Sequence, residues 1–183
     1  MPKKGFILFL IFPVLCHANN VHMISASAVE QDSTVGYSLG YTGINNGRYI
    51  TTLGYKHFSE DDWNSSAYSL GINRALDSVY TGSFYMGIGF ADVRVASRQN
   101  IGGSQNLKIF VEATDQRGFA RLGYSKLSGV GIDYDYSLVS MDGKTTLGAL
   151  WRGAISNSNF GWLLGVDSNS DVDTVSAGIS AIF

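Results

Sequence analysis

Asp173-Thr174-Val175-Ser176-Ala177-Gly178-Ile179-Ser180-Ala181-Ile182-Phe183 is the stretch that decides the fold of this chain. Successive side chains of an extended strand point to opposite sides. Val175, Ala177, Ile179, Ala181 and Phe183 therefore share one face, and Thr174, Ser176, Gly178 and Ser180 share the other. The first face is apolar and ends on an aromatic, and the second is small and polar.

The same period of two recurs upstream. Val35, Tyr37, Leu39 and Tyr41 alternate with Gly36, Ser38, Gly40 and Thr42. Tyr68, Leu70 and Ile72 alternate with Ser69, Gly71 and Asn73; Ile132, Tyr134, Tyr136 and Leu138 alternate with Asp133, Asp135 and Ser137. Leu147, Ala149 and Trp151 oppose Gly148, Leu150 and Arg152, and Phe160, Trp162, Leu164 and Val166 oppose Gly161, Leu163, Gly165 and Asp167. Such alternation over many segments specifies strands. A soluble sandwich would carry Lys, Glu and Thr on its second face. Here that face is Gly, Ser, Ala and Asn with isolated charges, while the bulky aromatic face is nearly uncharged. The inversion predicts an all-β fold, a closed antiparallel transmembrane barrel with lipid outside and a narrow polar interior. Closure is required in lipid, where every backbone group must find its partner inside the sheet.

Membrane strands need about 9–11 residues. On that length about ten strands are expected, at 21–30, 34–43, 48–58, 66–76, 79–95, 106–126, 130–140, 145–155, 160–167 and 173–183, with eight as the alternative because single-chain bacterial barrels have even strand numbers. Between Ala113 and Ala120 the apolar phase slips, which predicts either a bulge near Gln116-Arg117-Gly118 or two short strands in place of one. Turns at Asn45-Asn46-Gly47, Asp77-Ser78, Ser128-Gly129 and Asn157-Ser158-Asn159 are assigned to the periplasmic side. Those at Gln31-Asp32-Ser33, Glu60 to Asn64, Ser97 to Gln105, Met141-Asp142-Gly143 and Ser168 to Asp171 are assigned to the outside. Tyr41, Tyr49, Tyr55, Tyr68, Trp151 and Trp162 suit interfacial girdles.

At the other end, Lys3 and Lys4 precede an apolar run from Phe6 to Cys16, and Cys16-His17-Ala18 supplies small residues at a cleavage site. Residues 1–18 read as a secretory signal peptide and 19–183 as the barrel. The run is too short for a spanning helix. Removal of 1–18 takes away the one Cys and both Pro, leaving no disulfide and no residue unable to donate to a ladder. It also lowers Lys plus Arg from 13 to 11 against 15 Asp plus Glu, so the net charge moves from -2 to -4. That balance argues against a nucleic-acid partner.

The chain resembles the small bacterial outer-membrane β-barrel proteins over its whole length, through the leader and the Val175 to Phe183 face. Gly36-Tyr37-Ser38-Leu39-Gly40-Tyr41, the hairpin at Gly47 and Ser69-Leu70-Gly71-Ile72-Asn73 are similar to the YfaZ-type group, a likeness that implies no assigned reaction. The broader resemblance implies Phe183 as part of the signal read by the barrel-assembly machinery. It further implies export to the bacterial outer membrane, outer-membrane lipid and lipopolysaccharide as surroundings, and a monomer without cofactor.

The strand phase turns Lys56, Lys108, Glu112, Arg121, Asp133, Asp135, Arg152 and Asp167 inward, as lumen-lining residues. Four are cationic and four anionic, which suits a charge-balanced network filling a narrow barrel; a mixed-charge narrow channel is the competing reading. Arg152 is the expected partner of the Asp133/Asp135 pair. For catalysis the one candidate is His57 with Ser59, two apart on one strand face, with Glu60, Asp61 or Asp62 to orient the ring. His57-Phe58-Ser59 resembles the His-x-Ser of lipid A 3-O-deacylases, which would imply a lipid A-modifying hydrolase on the lipid-facing wall. In that family, however, the pair lies near the C-terminus and is followed by Asn rather than Glu60. Asn169, Asp171 and Asp173 read as a solvated turn rather than a Ca²⁺ site, and no metal is expected. The reading overall is a porin-like outer-membrane barrel of structural or narrow-channel role without catalytic activity, with the hydrolase and a surface-binding adhesion barrel as alternatives.

Overall fold

The computed structural model describes residues 20–60, 62–100, 108–128, 131–155 and 158–183. The segment read as a signal peptide lies outside these. Ten strands follow in chain order: β1 (Asn20–Gln31), β2 (Thr34–Asn45), β3 (Tyr49–Glu60), β4 (Trp63–Ala75), β5 (Ser83–Asn100), β6 (Lys108–Lys126), β7 (Ile132–Met141), β8 (Lys144–Ala154), β9 (Phe160–Ser168) and β10 (Asp173–Ile182). Each pairs antiparallel with the next, and β10 returns to β1 to close the barrel. The count is ten, not eight. The seam runs from Met23↔Ile182 to Gln31↔Thr174. Beyond it His22 and Phe183 exchange two backbone hydrogen bonds of 2.9 Å, so the last strand offers no free edge.

Three hairpins are closed by two residues: Gln31 pairs with Thr34, Glu60 with Trp63 and Met141 with Lys144. The first and last have Asp32-Ser33 and Asp142-Gly143 as the turn residues. Their φ values are 49° and 71°, and 52° and 75°. Positive φ at both central positions matches the right-handed twist of the flanking strands, and Asp tolerates it better than most residues.

The faces are inverted relative to a soluble protein. Ile88 is 72 % exposed, Leu147 61 % and Ile179 59 %, whereas Val29, pointing inward, is 1 % exposed. Apolar surface of that extent is stable only against lipid, and a closed ladder is what lipid demands of a spanning backbone. The protein is a closed transmembrane β-barrel. Two aromatic arcs border the apolar band. Tyr37, Tyr55 and Tyr68 pack ring against tilted ring along β2–β4, and Tyr124, Tyr134, Tyr136 and Trp151 run along β6–β8 nearer the other end. Tyr and Trp favour such levels because one end of each ring is apolar and the other polar.

The bulge expected near Gln116-Arg117-Gly118 is absent. β5 and β6 pair without interruption from Ser83↔Ser125 to Asn100↔Lys108. β6 meets β7 only from Phe119 to Lys126, so the distal half of β6 has no neighbour on that side, while β5 stays paired with β4 out to Trp63↔Ser97. There the outer face carries Asp92, Arg94, Thr114 and Gln116, and Val93, Val95 and Ala113 take the inner one. The phase slip in the sequence therefore records the end of the lipid, not a break in the strand. Glu112 is corrected by the same register: it lies opposite Ala96 on the outer face with Thr114 and Gln116, not in the lumen. The side chain of Lys108 lies outside the described residues.

The strand expected over 79–95 begins at Ser83, and the turn expected at Asp77-Ser78 is longer, covering 76–82. Val79 is tucked inside at 0 % exposure. Its N–H donates to the Gly47 carbonyl and its own carbonyl accepts from the Leu127 N–H, both at 2.8 Å. Around it pack Met23, Ile44, Ile50, Ala75, Tyr85 and Leu127. The buried apolar core thus sits at one end of the barrel, the end where β1 starts and β10 finishes.

Higher in the lumen, glycines make room for the few bulky chains. A Cβ at Gly89 would stand 2.1 Å from the Phe119 ring, so the ring occupies the volume a side chain would take. Gly89→Val should force Phe119 out of place and lower unfolding stability by about 1–3 kcal/mol. Urea unfolding in lipid vesicles, followed by Trp fluorescence, checks this; an unchanged midpoint would show that the ring is not wedged there.

Candidate functional site

The lumen carries three ion pairs at successive depths. Deepest is Arg152 on β8, opposite Asp133 on β7. Arg152 Nη1 lies 3.4 Å from Asp133 Oδ2, and the side chains are 3 % and 1 % exposed. Arg152 Nε donates to Ser180 Oγ at 2.7 Å, and the Ser128 N–H and hydroxyl both donate to Asp133 Oδ1, at 2.8 and 2.7 Å. Burying two ions is favourable only when further hydrogen bonds satisfy what the pair leaves open, and both ions have them. A Cβ on Gly161 would come 3.0 Å from Arg152 Nη2, so Gly161 leaves space for the guanidinium.

Above it Arg121 Nη2 donates to Asp135 Oδ2 at 2.9 Å, with 20 % and 16 % exposure. The Tyr85 hydroxyl donates to the other carboxylate oxygen at 2.8 Å, and the guanidinium carbon lies 5.6 Å from the Tyr85 ring centroid. Arg152 was the expected partner for both aspartates; the structure instead gives each its own arginine. Higher again, Lys56 Nζ donates to Asp167 Oδ2 at 3.0 Å, and these groups are 42 % and 47 % exposed. At the rim Arg117 bridges Asp115 and Asp142, and Lys144 reaches Asp171. In that loop the Lys144 ammonium, then the Ser170 hydroxyl, hold the Asp171 carboxyl below its ordinary pKa. Exposure of the three lumen pairs rises from the one beside the apolar plug to the one nearest this rim.

Lys56, Arg121, Asp133, Asp135, Arg152 and Asp167 thus meet as three neutral pairs. Sequence reasoning missed Tyr85, Ser128 and Ser180. Tyr85 was legible, because it stands in the opposite phase to Phe84, Met86, Ile88 and Phe90. The two serines were not, since nothing local marks a hydroxyl that caps a distant ion. Between plug and middle pair lies a cavity of about 110 Å³, whose lining includes Thr42, Thr52, Asn73, Tyr85 and Arg121.

On the outer wall His57 and Ser59 share a face without pairing. His57 Nδ1 is 2.9 Å from Ser66 Oγ, its register partner on β4, and the imidazole packs 5.2 Å from the Tyr37 ring. Ser59 faces Asn64. Glu60 is occupied elsewhere, accepting from Thr34 Oγ1 at 2.5 Å and Trp63 Nε1 at 2.8 Å. Asp61 lies outside the described residues. Among the described residues no group of His, Cys, Asp and Glu is placed to hold a metal ion. Asn169 Oδ1 instead accepts from the Asp171 and Val172 N–H groups, at 2.8 and 2.9 Å, shaping its own loop, while Asp173 accepts from Ser168 Oγ at 2.6 Å.

No protein-family model and no curated sequence matches the chain, so the YfaZ-type likeness gains no support there. Solved structures similar to it include Neisserial surface protein A, at 13% identity and a TM-score of 0.44, covering 90% of this chain and 97% of that one. The KdgM porin, solved in complex with disordered oligogalacturonate, follows at 12% identity and a TM-score of 0.45, covering 87% and 98%. The outer membrane protein OprG from Pseudomonas aeruginosa has 11% identity and a TM-score of 0.44, covering 91% and 96%.

The depth gradient gives an energetic expectation. Asp133→Ala strands a buried guanidinium and should cost about 3–5 kcal/mol. Lys56→Ala breaks a half-exposed pair and should cost less than about 1 kcal/mol. Urea midpoints of the two variants against wild type check the ranking.

Proposed function

We propose that this protein is a non-conducting outer-membrane barrel with a structural role, its lumen a blind cup closed on the periplasmic side. The observation that carries the reading is the plug. Val79 and its apolar neighbours seal the end where the strands begin and finish, and the buried Arg152–Asp133 pair lies beside them, Asp133 accepting from the Ser128 N–H next to Leu127. A conducting route would have to cross this apolar packing and the paired ions set into it. The long β5–β6 hairpin, with the outer half of β6 unpaired on its β7 side, belongs outside, as extracellular connections in this architecture are the longer ones. It also keeps surface attachment open as a secondary role. The YfaZ-type likeness of the second and fourth strands fits the same reading, since it carries no reaction.

Catalysis is the weaker alternative. His57 has a hydroxyl neighbour, Ser66, but the residue proposed as nucleophile, Ser59, stands apart from it. His57→Ala should leave the lipid A acylation pattern of the host membrane unchanged by mass spectrometry. Loss of an acyl-chain modification would restore the hydrolase.

The closed-lumen reading is tested in planar bilayers with refolded protein, after heat-modifiable gel mobility has confirmed the barrel. Wild type should be silent. Replacing residues 76–82 by Asn-Gly, which removes Val79 and its support, should produce discrete conductance steps. Steps from wild type would overturn the reading.

A further inference from the structure

The geometry points to a binding site for a small uncharged polar solute at the floor of the lumen. This rests on the closed-cup reading for the side from which the solute arrives, and on nothing else in it.

Two buried polar atoms beside the cavity above the plug have no hydrogen-bond partner: Asn73 Oδ1 and Arg121 Nε. Asn73 is 2 % exposed. Its amide nitrogen donates to the Ile50 carbonyl at 3.3 Å, while the amide oxygen has no partner. Arg121 spends Nη2 on Asp135. The two residues are held on either side of Gly87, which pairs with Asn73 on β4 and with Arg121 on β6. A Cβ at Gly87 would stand 2.2 Å from Asn73 Oδ1. The glycine therefore lets the amide lean across β5 toward the strand of Arg121, and both residues line the same cavity of about 110 Å³. An open acceptor and an open donor beside one space are costly unless a guest supplies the opposite groups.

The chemistry of the walls selects the guest. Arg121 and Asp135 already neutralise each other, so a charged guest would lose its hydration without meeting a counter-charge. The guest must both donate, to Asn73 Oδ1, and accept, from Arg121 Nε. Thr42, Thr52 and Ser125 add hydroxyls able to do either, and Ile50 and Leu150 supply an apolar wall. A 150 Å³ apolar cavity accommodates benzene, so this smaller one suits about four or five heavy atoms. A primary amide or a short diol meets each requirement. The Arg121 and Asp135 side chains retain 20 % and 16 % exposure against 3 % and 1 % for the pair beneath, which makes this the deepest level open to a solute from the rim.

Acetamide is the probe. Isotope-labelled full-length barrel in lipid nanodiscs is titrated with it while the Arg121 Nε–H, the Asn73 side-chain amide and the Gly87 backbone N–H are followed by NMR. Saturable shifts at all three groups are expected. Acetate and methylammonium, of similar size but charged, should bind roughly tenfold more weakly or worse. Gly87→Ala should abolish the shifts by pushing the Asn73 amide aside. Asn73→Leu should weaken binding roughly tenfold, the scale of one lost hydrogen bond, and carries the test should the alanine variant fail to fold. Shifts that rise linearly without saturating, or that survive both substitutions, would overturn the proposal. So would a bound-water signal at Arg121 Nε–H undiminished by excess acetamide, which would assign the cavity to water alone. Bilayer conductance reads the closed-cup reading separately, so a leaking barrel with an intact titration, or the reverse, tells which of the two has failed.

Discussion

Every peptide group at membrane depth must be paired within the protein, and from that constraint the rest of this structure follows. It forces β10 back onto β1 and carries the ladder past the last strand into the His22–Phe183 exchange. Closure then fixes which side of each strand meets lipid. A closed ring of ten strands has little room inside, so the inner face must be Gly and Ser wherever a larger chain crosses from another wall. Phe119 over Gly89 and Arg152 over Gly161 are two such crossings.

The narrow interior then poses an electrostatic problem with two solutions, and the barrel uses both. At the end bearing the plug it excludes water with apolar side chains. Any charge next to that plug must be fully paired, and Arg152 and Asp133 are, with three further hydrogen bonds between them. Toward the rim, water returns and the pairs become looser. Screening makes Lys56–Asp167 cheap to keep and cheap to lose. Depth, rather than residue type, decides what each ion pair contributes.

The alternation of Val175 to Phe183 and its echoes upstream made the strands and the barrel readable, because period two and an apolar outside are local properties. What was not readable was whatever depends on where the membrane ends or on which strands meet. Strand phase alone turns Glu112 inward, because it carries the apolar pattern across a point where the solvent changes from lipid to water, and it asks for a bulge for the same reason. An isolated apolar residue beside a turn, such as Val79, looks the same whether it extends the ladder or folds back as a plug. Spacing along one strand matches His57 with Ser59, whereas cross-strand register gives it Ser66. The three ion pairs were half legible: inward phase placed most of the charges, and only the register shared Asp133 and Asp135 between two arginines.

The outer wall obeys the same depth logic as the lumen. Arg94 lies 5.9 Å above the Tyr68 ring and pairs with Asp92 at 3.0 Å, just where the apolar band gives way. Arg74 sits 5.9 Å from the Tyr49 ring toward the opposite border. A guanidinium beside a tyrosine is tolerated at either border because the ring faces hydrocarbon while the charge reaches the headgroup level. Moved one or two outward positions toward the middle of the band, among Leu70, Ile72 and Ile88, the same guanidinium would have no polar layer within reach and would cost about 2–4 kcal/mol. The cationic side chains of the outer face therefore mark the thickness of the membrane this barrel is built for, and the apolar residues between them follow from that span.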